Sequence, residues 1–236
     1  MSRSCQLGLV LLLGLGGCGG EPPGDAPAPP AAASPSVPPA KWLSDVTQQA
    51  GIDFLHAHGG SGERYMVETM GGGGGFFDFD DDGWLDLYLV QSGPLPGFDG
   101  PTPPGDTLYR NRGRNGHNRG RNGHNRGIQG SDTPAFEHHP AVPAAEPGYG
   151  MGACFADVDN DGHTDVYLTR FGPDRLLRNE AGQSLTDITE TAGIDNPHWA
   201  ASCAFADYDR DGCLDLYVVN YVDFTLDNHR RCAEGN

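Results

Sequence analysis

The chain has 236 residues, with 15 Lys and Arg against 32 Asp and Glu, a formal net charge of −17, 36 Gly and 19 Pro. The hydrophobic fraction of 37% lies in short runs, which excludes a fully disordered chain. The negative charge argues against nucleic acid and anionic membrane surfaces as partners of the folded part, because both require cationic patches. Cations are the natural counterpart, and the length allows one or two domains.

Residues 1–17 have the pattern of an export signal. Arg3 precedes an apolar run from Leu7 to Leu15 that is too short to cross a bilayer as a helix. The segment Leu15–Cys18 resembles the bacterial lipobox, in which the cysteine is lipidated and becomes the first mature residue. We predict a lipoprotein signal peptide with lipidation at Cys18, and the alternative is an ordinary signal peptide that contains a cysteine.

Residues 18–40 have the composition of a flexible linker, because Gly, Pro, Ala and Ser cannot bury enough apolar surface to fold. The linker would hold a folded part, residues 41–236, away from the membrane. We therefore expect an exported protein of the outer membrane or cell surface of a bacterium, with membrane contact only through a lipid anchor at Cys18.

Three segments share the pattern Phe-x-Asp-x-Asp-x-Asp-Gly-x-x-Asp-x-Tyr without gaps: Phe76–Tyr88, Phe155–Tyr167 and Phe205–Tyr217. A tight turn, permitted by Gly at loop position 6, brings the carboxylates of positions 1, 3 and 5 to one side. Converging carboxylates repel unless a cation lies among them, and an all-oxygen set suits Ca²⁺ better than Mg²⁺ or Zn²⁺. The predicted ligands, including the position 7 carbonyls and the last carboxylate, are Asp78, Asp80, Asp82, Trp84 and Asp86; Asp157, Asp159, Asp161, His163 and Asp165; and Asp207, Asp209, Asp211, Cys213 and Asp215.

These loops differ from an EF-hand, whose position 12 is a bidentate Glu, since Leu89, Leu168 and Val218 stand there. The residues after each loop alternate with period two, which predicts a strand and so a hairpin around the loop. We predict about three Ca²⁺ ions with a structural role. The alternative is an Asp-rich turn without metal, because Asp and Gly are ordinary turn residues.

The repeats have a period near 50 residues, the spacing from Asp157 to Asp207. The longer first interval contains the Pro/Gly stretch 93–105 and a low-complexity insert, 112–127, which holds a tandem of Arg-Gly-Arg-Asn-Gly-His-Asn and which we predict to be a mobile loop. Units of this size, built of short strands and Gly-rich turns, indicate propeller blades. The expected fold is all-β, a partial propeller of about three to four blades that does not close and leaves a sheet edge exposed.

The three loops resemble the FG-GAP/VCBS repeats of the integrin alpha type of β-propeller. More narrowly, Gly51-Ile52-Asp53-Phe54 with His56, and Glu68–Gly73 before the first loop, resemble bacterial members of the cartilage acidic protein (ASPIC/UnbV) family. The resemblance covers about residues 42–236 and implies a secreted, calcium-loaded propeller used for binding. Members of that family are longer and end in an ASPIC/UnbV domain, so the resemblance implies that this chain is an N-terminal fragment.

Other residues that could carry chemistry give weaker signals. The cysteines of the folded part can pair in three ways, or Cys154 and Cys203 can be buried thiols. Two glycine runs, 71–75 and 148–152, lead into strands and are expected to allow close packing of blades. The cysteines of the folded part are Cys154, Cys203, Cys213 and Cys232. Four histidines could suggest a transition-metal site, namely His56, His58, His138 and His139.

We expect a non-enzymatic, extracytoplasmic calcium-binding lipoprotein that binds a protein or polysaccharide, as in adhesion, and we assign no catalytic residue. The first alternative is an extracellular propeller enzyme that acts on polysaccharide or peptide with catalytic residues outside this chain. The second is a purely structural surface protein.

Overall fold

The computed structural model describes residues 43–113, 134–143 and 148–230. The predicted signal peptide, Cys18, the linker, Cys232 and all but the first two residues of the low-complexity insert lie outside the described residues. Residues 45–236 form one unit by their contacts, and this unit holds all the strands that are described. In the described part of the chain, no helix has the length and apolar character of a membrane span.

Ten strands form three antiparallel sheets in the described residues. Four consecutive strands make the first sheet, the next four make the second, and two make the third. The strands are β1 (Gly74–Phe77), β2 (Asp86–Leu89), β3 (Thr107–Asn111), β4 (Phe136–His139), β5 (Tyr149–Ala156), β6 (Asp165–Phe171), β7 (Arg175–Asn179), β8 (Leu185–Asp187), β9 (Ala200–Ala206) and β10 (Asp215–Asn220). A short 3-10 helix, Met66–Thr69, precedes the first sheet. The predicted all-β, unclosed architecture is confirmed.

Each acidic loop connects the first two strands of its sheet. The last aspartate of each loop is the first residue of the outgoing strand, namely Asp86 in β2, Asp165 in β6 and Asp215 in β10. In each hairpin this aspartate pairs with the last residue of the incoming strand. The hairpin predicted from the period-two pattern is therefore confirmed in all three repeats.

The main core lies between the first and second sheets. Phe79, Tyr88 and Leu108 of the first sheet and its loop, and Val166 of the second, are fully buried in one cluster. Phe155 of β5 enters this cluster from the second sheet. Its ring stacks on Phe77 of β1 with centroids 4.6 Å apart. The two sheets therefore pack face to face as neighbouring blades.

The glycine runs allow this close approach, as predicted. The N–H of Gly73 donates to the carbonyl of Met151 (2.8 Å). A Cβ on Gly150 would lie only 2.3 Å from Cγ1 of Val90 and 2.6 Å from the carbonyl oxygen of Gln91. Backbone of one sheet thus lies directly on the other, at a distance that a side chain would prevent.

We expect Gly150→Ala to lower the free energy of unfolding by about 1–3 kcal/mol, because the added methyl group overpacks the boundary between the sheets. Gly71 occupies the equivalent position of the first repeat, and a Cβ there would have no other atom within 4 Å, so Gly71→Ala is a matched control without this penalty. Urea unfolding of both variants measures the difference. Equal losses for the two variants would contradict the packing argument.

A disulfide joins Cys154 of β5 to Cys203 of β9 and so links the second sheet to the third. The sequence allowed three disulfide pairings, or Cys154 and Cys203 as buried thiols, and in the structure these two cysteines are bonded to each other. Cys213 is an exposed free thiol. Disulfides of this kind form in oxidising compartments outside the cytoplasm, so the bond indicates an extracytoplasmic protein.

Candidate metal centres

Three aspartate triads bring carboxylate oxygens together, one triad in each acidic loop. In each triad one oxygen from every residue lies within 4.8 Å of the others. The triads are Asp78, Asp80 and Asp86; Asp157, Asp159 and Asp165; and Asp207, Asp209 and Asp215. They correspond to loop positions 1, 3 and the last aspartate of the motif, in the same register each time.

The chemistry and spacing of the triads fit a calcium ion. Ca²⁺ takes oxygen ligands at 2.3–2.6 Å, so two ligands on opposite sides of the ion lie at most about 5 Å apart. The oxygens of each triad meet this limit. Carboxylate oxygens are also hard ligands, which Ca²⁺ prefers and which Zn²⁺ with its nitrogen and sulfur ligands does not favour.

Backbone hydrogen bonds shape each loop around its first aspartate. In the first loop, Asp78 accepts the N–H of Asp82 (3.1 Å) and of Gly83 (2.9 Å). Gly83 has φ of +86°, a left-handed conformation that glycine adopts without strain. The equivalent bonds recur in the second and third loops. The turn therefore has its own hydrogen bonds in addition to any contacts with an ion.

Loop position 4 is also left-handed in every repeat, which the sequence analysis missed. Asp81, Asn160 and Arg210 have φ of 55°, 59° and 65°. Asp and Asn tolerate this conformation better than most residues, and their presence in two of three repeats was the available signal. Arg210 has no such tolerance, so the third loop is the more strained of the three.

In the first two repeats the last aspartate of the loop connects the loop to the third strand of its sheet. Asp86 is fully buried and accepts the N–H of Phe79 (2.8 Å) and of Asn111 (2.6 Å). Asp165 makes the same pair of bonds with Val158 and Asn179. Burial raises the pKa of Asp86 to about 7, against the opposing effect of these hydrogen bonds. A cation beside the carboxylate would favour its charged form.

The position 5 aspartates, Asp82, Asp161 and Asp211, are not members of the triads. Each carboxylate accepts the N–H of the position 7 residue two places later. Those residues are Trp84, His163 and Cys213, with distances of 2.9, 2.8 and 2.8 Å respectively. Position 5 thus closes the turn, and the oxygens that the structure brings together come from positions 1, 3 and the last aspartate.

Arginines at equivalent positions of the first two repeats have different ion-pair partners. Arg110 of β3 forms an ion pair with Asp80. Arg178, the corresponding residue of the second repeat, pairs with Glu180 at 2.8 Å. A metal ion at the first triad would therefore compete with Arg110 for Asp80.

The first two acidic loops contact each other. Nδ1 of His163 lies 2.6 Å from Oδ2 of Asp81, and this hydrogen bond raises the pKa of His163. The side-chain amide of Asn179 donates to the carbonyl of Phe79 (2.8 Å). The first two candidate metal sites consequently lie at the junction between adjacent sheets.

The tyrosine that ends each motif has a partner that the sequence analysis missed. The hydroxyl of Tyr88 donates to Asp106 (3.0 Å), and that of Tyr167 donates to Asp174 (2.8 Å). Asp106 also accepts the N–H of Gln91, two residues after the end of β2, and Asp174 accepts the N–H of Arg170 in β6. The constant spacing of the tyrosine was the available signal, but the aspartates lie in connections of different length. Asp106 also lines a cavity of about 200 Å³ between the first two sheets.

In the part of the chain that is described, the groups of three or more side chains that could hold a metal ion are the three aspartate triads. None of the four histidines belongs to such a group. His56 lies 3.1 Å from the hydroxyl of Ser92 and accepts the N–H of Gly72. His58 and His139 accept nearby backbone N–H groups, and His138 packs edge-on against Tyr109. These contacts account for the histidines as structural residues.

Comparison with known protein families finds a match to the FG-GAP-like repeat over residues 78–168 and 157–218. Together the two matches span more than half of the chain, and each runs from the first aspartate of one acidic loop to just past the tyrosine of the next. No curated protein matches the chain.

Proposed function

The chain belongs to the FG-GAP-like repeat family, and from this premise we propose that it is an extracytoplasmic, calcium-stabilised propeller protein that binds a protein or polysaccharide without catalysing a reaction. The three aspartate triads carry the proposal. Their identical register argues against three independent acidic turns, since each triad would have to recur by chance at the same three positions.

The surroundings of the triads support a structural role for calcium. Asp86 and Asp165 are fixed from two sides by backbone amides, so binding an ion would require little rearrangement there. The ion would offset the repulsion among carboxylates and stiffen the contact between neighbouring loops at His163 and Asp81. Calcium at such a site acts as a permanent part of the fold, because extracellular calcium keeps weak sites filled.

Export and anchoring are part of the same proposal. The Cys154–Cys203 disulfide supports an oxidising location. The pattern of residues 1–18 supports export and lipidation at Cys18. The narrower resemblance to the ASPIC/UnbV family supports a binding role, and it leaves the ligand as a protein or a polysaccharide.

The proposal is tested by calorimetric titration of Ca²⁺ into the metal-stripped full chain. We expect about three ions per chain, by the count of triads, and weaker binding of Mg²⁺, which demands a stricter octahedral geometry. Asp157→Asn together with Asp159→Asn should remove one ion, because both changes fall in one triad. The same pair of substitutions at Asp195 and Asp227, which belong to no triad, is the matched control. Absence of binding by a chain that circular dichroism shows to be folded would refute the proposal.

A further inference from the structure

The cavity between the first two sheets lies at the end of these sheets opposite to the acidic loops. Its walls include Gln91, which follows β2, and Asp106, which precedes β3, whereas the acidic loop precedes β2. Arg170 near the end of β6 and Arg175 at the start of β7 also line it. This inner cavity has a volume of about 200 Å³. Sites for drug-sized ligands have roughly 300–1,000 Å³, so the inner cavity has room for one small chemical unit.

A second, outer cavity adjoins the inner one at the two arginines. Gly148, Arg170 and Arg175 line both cavities, so the two spaces are neighbours. The outer cavity has a volume of about 670 Å³, and Asp187 and Glu190 are among its other lining residues. The two cavities together are therefore large enough for a ligand of more than one unit, and the arginines stand where its units would join.

The structure holds both arginines in these positions. The backbone N–H of Arg170 donates to Asp174 (2.8 Å), and a Cβ added to Gly148 would overlap the guanidinium of Arg170. Glycine at position 148 thus leaves the space that this guanidinium occupies. Nε of Arg175 lies 3.4 Å from Oδ2 of Asp187, and the side chain of Arg175 is 17% exposed. The fold therefore places both positive charges at the cavities and does not extend them into solvent.

Two positive charges at one boundary favour an anionic ligand group. Burial and the neighbouring charge of Arg175 lower the pKa of Arg170. The two like charges repel each other, and an anion that contacts both would offset this repulsion. A guanidinium presents its N–H donors in a planar fork that matches a carboxylate in a bidentate contact. A carboxylate is therefore the ligand group that is complementary to this boundary.

The inner cavity also offers an acceptor for hydroxyl groups. Asp106 accepts from the hydroxyl of Tyr88 (3.0 Å) and from the N–H of Gln91 (2.7 Å). A carboxylate has about four lone-pair sites, so Asp106 can accept a further hydroxyl. Val90 and Leu168 add apolar wall. A uronic acid carries a carboxylate, hydroxyl donors and apolar C–H groups on one ring, whereas an acidic side chain of a peptide lacks the hydroxyl donors.

We propose that the inner cavity binds a uronic acid unit of a polysaccharide, with its carboxylate on Arg170 and Arg175, and that the next sugar unit occupies the outer cavity. This inference rests on the proposed binding role and names its ligand class. Asp187 and Glu190 would repel a second carboxylate in the outer cavity, so the next unit is expected to be a neutral sugar. A chain with one carboxylate in every two units also suits a protein with a net charge of −17 better than a densely charged polymer does.

The test is calorimetric titration of the calcium-loaded full chain with a disaccharide of glucuronic acid joined to glucose. The neutral probe is the same disaccharide with its carboxyl group reduced to an alcohol. We expect the neutral probe to bind about 10- to 100-fold more weakly, because hydrogen bonds to charged groups are lost. A disaccharide of two galacturonic acid units should also bind more weakly than the first probe, since its second carboxylate meets the acidic side chains of the outer cavity.

Three variants locate the binding at the arginines. Arg170→Gln should weaken binding of the acidic disaccharide by about 10- to 100-fold and leave binding of the neutral probe nearly unchanged. Gly148→Ala should also weaken it, although both arginines are kept, because the added methyl group displaces the guanidinium of Arg170. Arg178→Gln is the matched control and should bind like the unchanged chain. Arg178 has the same charge on the same strand as Arg175 and lines neither cavity.

Three results would overturn the inference: no binding of the acidic disaccharide, equal binding of the acidic and neutral probes, or an unchanged affinity in Arg170→Gln. Binding of a glutamate-containing peptide in place of the disaccharide would also overturn it and would assign the arginines to a protein ligand. Calcium titration of the same sample separates this failure from that of the proposed function. A chain that binds about three ions but no disaccharide contradicts only the inference, whereas a folded chain that binds no calcium contradicts the proposed function. Thermal unfolding verifies that the variants fold.

Discussion

Replacing both disulfide cysteines, Cys154→Ser with Cys203→Ser, is expected to lower the free energy of unfolding by about 4 kcal/mol. The bond closes a loop with a sequence separation of 49 residues, and a loop of this length restricts the unfolded chain by roughly that amount in the chain-entropy account. For a domain of this size the melting temperature should fall by about 8–16 °C. Thermal unfolding of the two proteins under oxidising conditions measures the effect.

The matched control for this prediction is Cys213→Ser, which removes an exposed free thiol and should leave the melting temperature unchanged. Reductant should lower the melting temperature of the unchanged chain to that of the double variant and should have little effect on the variant itself. Peptide mapping without reduction should recover Cys154 and Cys203 in one linked fragment. A double variant as stable as the unchanged chain would show that the bond does not constrain the fold.

Chelation of calcium is expected to destabilise the folded chain by about 4 kcal/mol. At free calcium about ten times the dissociation constant, each occupied site adds about 1.4 kcal/mol, and three triads are present. The melting temperature should therefore fall by about 8–16 °C on transfer from calcium to chelator. Differential scanning calorimetry in both buffers measures this change, and magnesium in place of calcium should restore little of it.

Two variants of the second loop separate calcium binding from the hydrogen bonds of the loop. Asp159→Asn removes a triad carboxylate that is exposed, so it should reduce only the calcium-dependent part of the stability. Asp165→Asn also places an amide against the N–H groups of Val158 and Asn179. We therefore expect its free energy of unfolding to fall by about a further 2–3 kcal/mol, even in chelator. Identical behaviour of the two variants in chelator would contradict the assigned role of Asp165.

The disulfide and the third aspartate triad both lie on the sheet that has the fewest strands in the described residues. The third sheet has two strands in the described residues, and a two-stranded sheet is marginally stable by itself. Its first strand is bonded to the second sheet through Cys203, and its hairpin loop carries the third triad. The disulfide restrains this sheet, and we expect an ion at the third triad to restrain it further.

The acidic loops were predictable because their information is local. The spacing of aspartates around one glycine, repeated three times, indicated the turn, the hairpin and the carboxylates that converge. The same spacing of aspartates also led to the prediction that loop position 5 contributes a metal ligand. In the structure Asp82, Asp161 and Asp211 each accept a backbone N–H and lie outside the triads, and their role as ligands stays a prediction.

The sequence by itself determined the all-β class, the repeat, the hairpins and the acidic clusters, since each depends on residues a few positions apart whose side-chain directions follow from the strand period. The tertiary structure alone decided that Cys154 pairs with Cys203 and that Asp106 and Asp174 hold the motif tyrosines. Those features depend on how one sheet packs against the next. The spacing of residues along the chain does not determine which side chains meet across the interface between two sheets.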